Sequence, residues 1–273
     1  MTFYSFCCII RYTTQIVKVD FQERRQLKTF IIAGIRSDIG IQYAKELAPH
    51  GKVYGISRTA ELVQDLEYTH IMCDLLSDID VNLFGNIDGD EVVYIHLPGE
   101  FRFEDEAHPI FDYDGDGLDD SIYKSNVTTF ENITPALYKL AEHCNHLRIV
   151  AIGSTADLYD VPFWNSFTKS KDKLRGLFRK FYGDELNGNR VSSLFVNVST
   201  TDGTQLAGER PYIDKTYVLQ PSEIVTQSIE FVTSKTKSCV EINILKSNPE
   251  WMDDEYFELH NIRARWYHDM YGK

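Results

Sequence analysis

Two short stretches of this chain carry residues whose types and spacing suit a phosphorylated nucleotide. The first is Ala33-Gly34-Ile35-Arg36-Ser37-Asp38-Ile39-Gly40, which follows an apolar run and opens an amphipathic segment. A glycine-bearing turn between a strand and a helix lets the backbone approach a pyrophosphate. The helix start adds free N–H groups and a positive dipole end. Asp38 is placed to cap that helix. The second stretch is Gly55-Ile56-Ser57-Arg58, where an acidic residue would bind the ribose diol of NAD. A hydroxyl beside a guanidinium suits a 2′-phosphate instead, through bidentate charge-assisted hydrogen bonds. Arg36, inside the turn, adds a second cation. The expected cofactor is therefore NADP(H) rather than NAD. The plainer alternative is a tight turn flanked by two solvated arginines.

A third stretch, Asp112-Tyr113-Asp114-Gly115-Asp116-Gly117-Leu118-Asp119-Asp120, has the form of a calcium loop. Asp112, Asp114, Asp116 and Asp120 fall at ligand positions, and Gly117 falls at the sharp turn. The twelfth position is Tyr123, which cannot act as the bidentate carboxylate, so any calcium affinity is expected to be weak. The other reading is a solvated acidic turn at a helix N-terminus, with Asp119 or Asp120 near that end.

These groups need a scaffold, and the hydrophobic pattern supplies one. Apolar runs at Thr29–Ala33, Val53–Ile56, His70–Cys73, Val92–His96, Arg148–Ile152, Val191–Val198 and Val240–Leu245 read as strands. Between them lie helical segments, at about Ile39 to Ala48, from Phe167 to Tyr182 and over Ser222–Thr233. A long helix carries Phe130, Ile133, Leu137, Leu140 and Cys144 at 3-4 spacing, and Pro135 is expected to kink or break it. Gly51 stands where a helix C-cap belongs. Nearly all-apolar strands alternating with amphipathic helices imply a parallel sheet covered on both faces, the doubly wound, Rossmann-type α/β class. One domain over residues 28–273 accommodates everything. Residues 1–27 read as an arm or an extra strand.

Composition bounds the partners. The chain has 273 residues, and 41 acidic against 28 basic side chains give a net charge of −13. Nucleic acid and anionic membrane would be repelled by that surface. The five cysteines, at positions 7, 8, 73, 144 and 239, show no CxxC spacing and fit reduced thiols in a cytoplasmic protein. No apolar run approaches the roughly 20 residues that span a bilayer, and no signal peptide is read.

A further constellation is scattered along the chain: Asn126 in Ser125-Asn126-Val127, Ser154 in Gly153-Ser154-Thr155, and Phe167-Thr168-Lys169-Ser170-Lys171. Together with the glycine turn it resembles the short-chain dehydrogenase/reductase family over nearly all of 28–245. The turn is similar to that family's TGxxxGxG, with Ala33 for Thr and Asp38 for the central Gly. Cys73-Asp74-Leu75 resembles its adenine-contacting segment, and Gly99 is the one match to its Asn-Asn-Ala-Gly. The last stretch sits in the register of YxxSK, with Ser154 thirteen residues before Phe167 and Lys171 four after it.

The resemblance implies roles. Asn126 would support a proton-relay water, Ser154 would orient the substrate, and Lys171 would bind the nicotinamide ribose. The residue at 167 would be a proton-donating tyrosine. Here it is Phe167, which has no proton to give. The Pro-Gly that usually follows the sixth strand is also replaced, by Val198-Ser199-Thr200. Three readings follow: a nucleotide-binding pseudoenzyme that controls a partner, an oxidoreductase whose acid comes from elsewhere (Tyr159 the nearest candidate), or an enzyme acting on a nucleotide-linked sugar. His96, at the end of the fourth strand, reads as structural. The aromatic tail from Trp251 to Tyr271 could cover the substrate pocket, meet a second copy of the chain, or pack on its own domain.

Overall fold

A computed structural model describes residues 28–87, 89–106, 108–156, 163–184, 190–246, 255 and 258–273. The first 27 residues, Tyr159, and Trp251, Tyr256 and Phe257 of the tail lie outside the described residues.

Seven strands form one parallel sheet: β1 (Lys28–Ala33), β2 (Gly51–Ser57), β3 (Thr69–Met72), β4 (Glu91–His96), β5 (His146–Ser154), β6 (Val191–Val198) and β7 (Cys239–Ile244). Their spatial order is β3-β2-β1-β4-β5-β6-β7. The chain thus winds outward from β1 in one direction, then returns and winds outward in the other. The order reverses between β1 and β4, whose C-terminal ends, Ala33 and His96, are partners in register. In open α/β sheets, ligands bind in the crevice at such a reversal.

The helices are α1 (Asp38–Leu47), α2 (Asp120–Tyr123), α3 (Thr129–His143), α4 (Asn165–Gly183), α5 (Thr204–Glu209), α6 (Pro221–Thr233) and α7 (Leu259–Tyr271). Each face of the sheet has its own core. Phe130, Ile133, Leu137 and Leu140 of α3 pack with Leu174, Phe178 and Phe181 of α4 on one face. Tyr43, Ala44 and Leu47 of α1 pack with Ile224, Val225 and Val232 of α6 on the other. The 3-4 stripe read from the sequence, Phe130 to Cys144, is the buried face of α3. Burying one such side chain contributes about 1.5–3 kcal/mol. A third, smaller core is made by Phe103 with Ile262, Trp266 and Met270 of α7.

Three local expectations are corrected. Gly51 does not cap a helix. It opens β2 in extended conformation, after α1 ends at Leu47 and a short 3₁₀ turn covers Ala48–His50. A Cβ there would lie 1.9 Å from the Lys28 carbonyl oxygen, so close backbone approach is what the glycine provides. Pro135 does not break α3, which runs through it. The proline and Glu131, whose carbonyl loses its partner, are both exposed, so that carbonyl can bond water. The irregularity falls earlier: Lys124–Thr128, which holds Asn126, is a single π-helical turn. Finally, Ser37 rather than Asp38 is the N-cap of α1.

Candidate active site

The glycine turn is built from backbone. Gly34 sits at φ +83°, a left-handed conformation that favours glycine, directly after β1. Its N–H donates to the Ile56 carbonyl, which fixes the turn beside β2. The Ser37 hydroxyl donates to the Gly34 carbonyl at 2.8 Å and accepts from the Gly40 N–H at 3.0 Å. That satisfies one of the helix's first-turn donors locally. Asp38, displaced from the cap, turns its carboxylate to α5: Oδ2 accepts from the Thr204 N–H at 3.0 Å and its hydroxyl at 3.4 Å. The negative charge is thereby held at another helix start. Gly203 lies so close that a Cβ would be 2.6 Å from that oxygen.

The two cations read from the sequence stand differently. Arg58 is exposed just beyond the end of β2. Arg36 is tethered across the turn, to Thr59 Oγ1 and to Glu61 at 2.6 Å. Ser57 is engaged as well: its hydroxyl donates to the Thr59 carbonyl at 3.0 Å and pairs with His70 Nε2 at 2.9 Å. Asp74 is exposed and accepts from the Leu76 N–H at 3.0 Å. Leu75 is buried, and its carbonyl accepts from Asn132 Nδ2 of α3.

The second group converges at the C-terminal edge of β4 and β5. Ser154 ends β5, and its hydroxyl oxygen accepts from the Ala156 N–H at 3.1 Å. Phe167 and Lys171 are one turn apart on α4, with the Lys171 ammonium 5.5 Å from the Phe167 ring centre. Ser170 is buried and donates to the Phe167 carbonyl at 2.8 Å. Lys171 Nζ donates to the Ile152 carbonyl at 3.3 Å. Asn126 is buried behind Gly99, where its amide donates to the carbonyls of Glu100 and Ile122. Its Oδ1 has no partner among the described residues. A Cβ on Gly99 would meet that oxygen at 2.7 Å and Lys171 Nζ at 3.0 Å. Asn126, Gly99 and Lys171 are therefore in one contact. His96 sits nearby but is structural: it is buried, bonded to Tyr94 at 3.0 Å and near the Thr129 hydroxyl at 3.3 Å. Burial, followed by the Lys171 charge, pushes its pKa down to about 3, so the ring stays neutral.

One cavity of about 1060 Å³ joins the two groups. At one end it is lined by Arg36, Ser37, Asp38 and Ile39, and further along by Leu97, Gly99, Ser154, Phe167 and Lys171. Ser57, Arg58, Asp74 and Leu75 lie beyond its rim, at and just past the ends of β2 and β3, and Asn126 backs it through Gly99. The reading from sequence missed part of the wall. Phe101 and Trp164 line the cavity, and so do Ile262 and Trp266 from α7. Arg210 bonds Asp269 of α7 and stands 3.9 Å over the Trp266 ring. The aromatic-rich tail was the only signal that could have indicated this wall. Of the uses open to it, α7 takes the first and the last together: it covers the cavity and packs on its own domain.

In the acidic loop, carboxylate oxygens of Asp112, Asp114 and Asp116 lie within 4.8 Å of one another, and all three residues are exposed. Each accepts backbone N–H groups of the same loop, Asp112 from both Gly115 and Gly117. Asp120 accepts from the Tyr113 N–H at 2.7 Å. Asp119 is the N-cap of α2, receiving the N–H groups of Ser121 and Ile122. Among the described residues the cysteines, Cys73, Cys144 and Cys239, are free, and no helix is long and apolar enough to cross a membrane.

No protein-family model matches the sequence, and no curated protein does. Solved structures do match. A short-chain dehydrogenase from Burkholderia cenocepacia, in complex with NADP, superposes with a TM-score of 0.65 at 16% identity, over 89% of this chain and 99% of that one. A protein described as of the short-chain dehydrogenase/reductase family gives 0.62 at 20% identity, over 80% and 97%. The ligand-free aldohexose dehydrogenase of Thermoplasma acidophilum gives 0.60 at 17% identity, over 80% and 93%. At these identities the likeness establishes the fold. This chain has the Rossmann-type α/β fold found in short-chain dehydrogenases.

Proposed function

We infer that this protein binds NADP(H) as a short-chain dehydrogenase/reductase-like protein, with an oxidoreductase site impaired or rerouted at residue 167. The observation that carries the reading is the single cavity running from the Arg36–Ile39 turn to Ser154, Phe167 and Lys171. Its volume suits a dinucleotide and a small substrate together. Gly203 and Gly99 hold backbone close to Asp38 and Lys171, where no Cβ fits. The first turn of α1 would hold the pyrophosphate, Arg36 and Arg58 the 2′-phosphate, and Lys171 the nicotinamide-side ribose. NADP(H), when bound, supplies a hydride to such a site. The NADP in the Burkholderia structure supports that choice of cofactor.

At the reacting centre Ser154 would orient a carbonyl, with the Lys171 charge behind it and Asn126 supporting a proton-relay water. The position that gives the proton in this fold family carries Phe167. Loss of a general acid typically costs 10²–10⁴-fold, about 3–5 kcal/mol of barrier. The packing of the Phe167 ring against Phe101 and Lys171 favours a second reading, a nucleotide-binding pseudoenzyme that controls a partner. NADPH and NADH titrations on the wild type and on Arg58→Ala test the cofactor assignment. NADPH binding weakened about tenfold in the variant, with NADH unaffected, is expected for a charge-assisted 2′-phosphate contact. Binding of neither nucleotide in the wild type would end the oxidoreductase and pseudoenzyme readings together.

A further inference from the structure

Away from the Arg36–Ile39 turn, the cavity has a polar side and an aromatic side. Ser154, Lys171 and Ser199–Thr201 line the first. At the second, Phe101 stands at the centre of three other rings, with centroids 5.3 Å from Trp164, 5.2 Å from Phe167 and 5.6 Å from Trp266. Phe101, Trp164 and Phe167 are half-buried and so keep ring surface open to the cavity, while Trp266 is buried behind them. The first two meet Phe101 edge to face, at interplanar angles of 88°. That is the arrangement aromatic rings prefer, and it turns ring carbon toward the cavity.

Three polar contacts on this side hold the wall. Arg210 is bonded to Asp269 and lies over the Trp266 ring. Tyr267 donates to Asp105, and the Tyr271 hydroxyl pairs with His108 at 3.1 Å. These three ties run from α7 to α5 and to the segment that follows Phe101. The wall is thus fixed in place before any ligand arrives, which lowers the cost of ordering it on binding. A flat ring would bury its faces against the ring carbon of Phe101, Trp164 and Phe167.

We propose that the site takes a carbonyl compound bearing a planar aromatic ring, and that Phe101 is the residue that selects it. The proposal rests on the oxidoreductase-like reading for what happens at the polar side. The ring subsite itself stands on the wall alone.

The test is ligand-observed NMR on the full chain with 1-indanone and D-glucose as probes, alongside NADPH titration of the same samples. Saturation transfer to the indanone ring protons and none to glucose is expected. Phe101→Ser should weaken indanone about tenfold and leave NADPH affinity within about twofold. Phe101→Leu, which keeps apolar volume and so protects the fold, should fall between. Indanone binding that ignores both variants, or glucose binding as tightly as indanone, overturns the proposal. NADPH binding without indanone binding sinks the ring subsite and spares the nucleotide reading. Indanone bound through Phe101, with no NADPH binding, sinks the nucleotide reading and upholds the subsite.

Discussion

The two ends of the cavity are made in opposite ways. The phosphate end is backbone and caps: Gly34 at positive φ, the Ser37 hydroxyl bonded at both sides of the turn, and the Asp38 carboxylate tied to Thr204. The reactive end is side chains: Phe101, Trp164, Phe167 and Trp266 in mutual contact, with Lys171 alongside. A backbone site would read a feature common to every dinucleotide, so under the proposed function it tolerates Ala33 and Asp38. A side-chain site reads one substrate class, so under the proposed function the phenylalanine at 167 is enough to redirect it. On the proposed reading, the chain keeps its ligand at the first end and alters its chemistry at the second.

The largest effect that would sharpen this contrast is expected from Phe167→Tyr. The ring stays in the wall against Phe101, and a phenolic hydroxyl is added beside Lys171. If only the proton donor is missing, NADPH-dependent ketone reduction should rise by about 10²–10⁴-fold, read as NADPH oxidation. NADPH affinity should not move, because the phosphate end is untouched. Equal turnover in the variant and the wild type would mean that more than one part of the reactive end has been lost. The Val198-Ser199-Thr200 segment would then be the next suspect.

Trp266→Ala asks whether the wall is a separable unit. Trp266 is buried and stacks on Phe103 at 5.1 Å with an interplanar angle of 17°. Its removal leaves a cavity in the third core, which contains no strand residue. Truncations of this kind cost about 3–5 kcal/mol, and the satellite position places this one at the lower end. Chemical denaturation should show that loss, while NADPH affinity in the folded protein stays the same. A matched loss of NADPH binding would show that the two ends are coupled through α7 and that the contrast drawn above is too sharp.

How far each end was legible in the sequence follows from the same contrast. The turn lies within residues 33–40, so its glycines could be read together with the strand before and the helix after, as the 3-4 stripe declared the buried face of α3. The strands were found because they are buried and nearly all apolar. The wall was not legible, because residues 101, 164, 167 and 266 belong to separate segments of the chain and meet only through the fold. Asp38 was misassigned for a related reason. Ser37 and Asp38 are both good caps, and what decided between them is the α5 amide of Thr204, which is 166 positions away in sequence. The π turn around Asn126 had no signal at all, while Pro135, the obvious helix breaker, faces solvent and leaves α3 intact.

The smallest effect is expected at the rim of the phosphate end. Arg36 is held by Glu61 at 2.6 Å, with the two side chains 43% and 76% exposed. An exposed pair of this kind is worth about 1 kcal/mol at most. If Arg36 reads the 2′-phosphate, Glu61 competes with that phosphate for the guanidinium and also repels it. Glu61→Gln should then tighten NADPH binding by about threefold at low salt, with a smaller gain as ionic strength screens the charge. NADH lacks the phosphate, so its affinity should stay constant. Glu61 is exposed, so thermal stability should not change and cannot account for the difference. An equal gain for both nucleotides would mean that the effect is general electrostatics, leaving Arg58 as the one cation that distinguishes them.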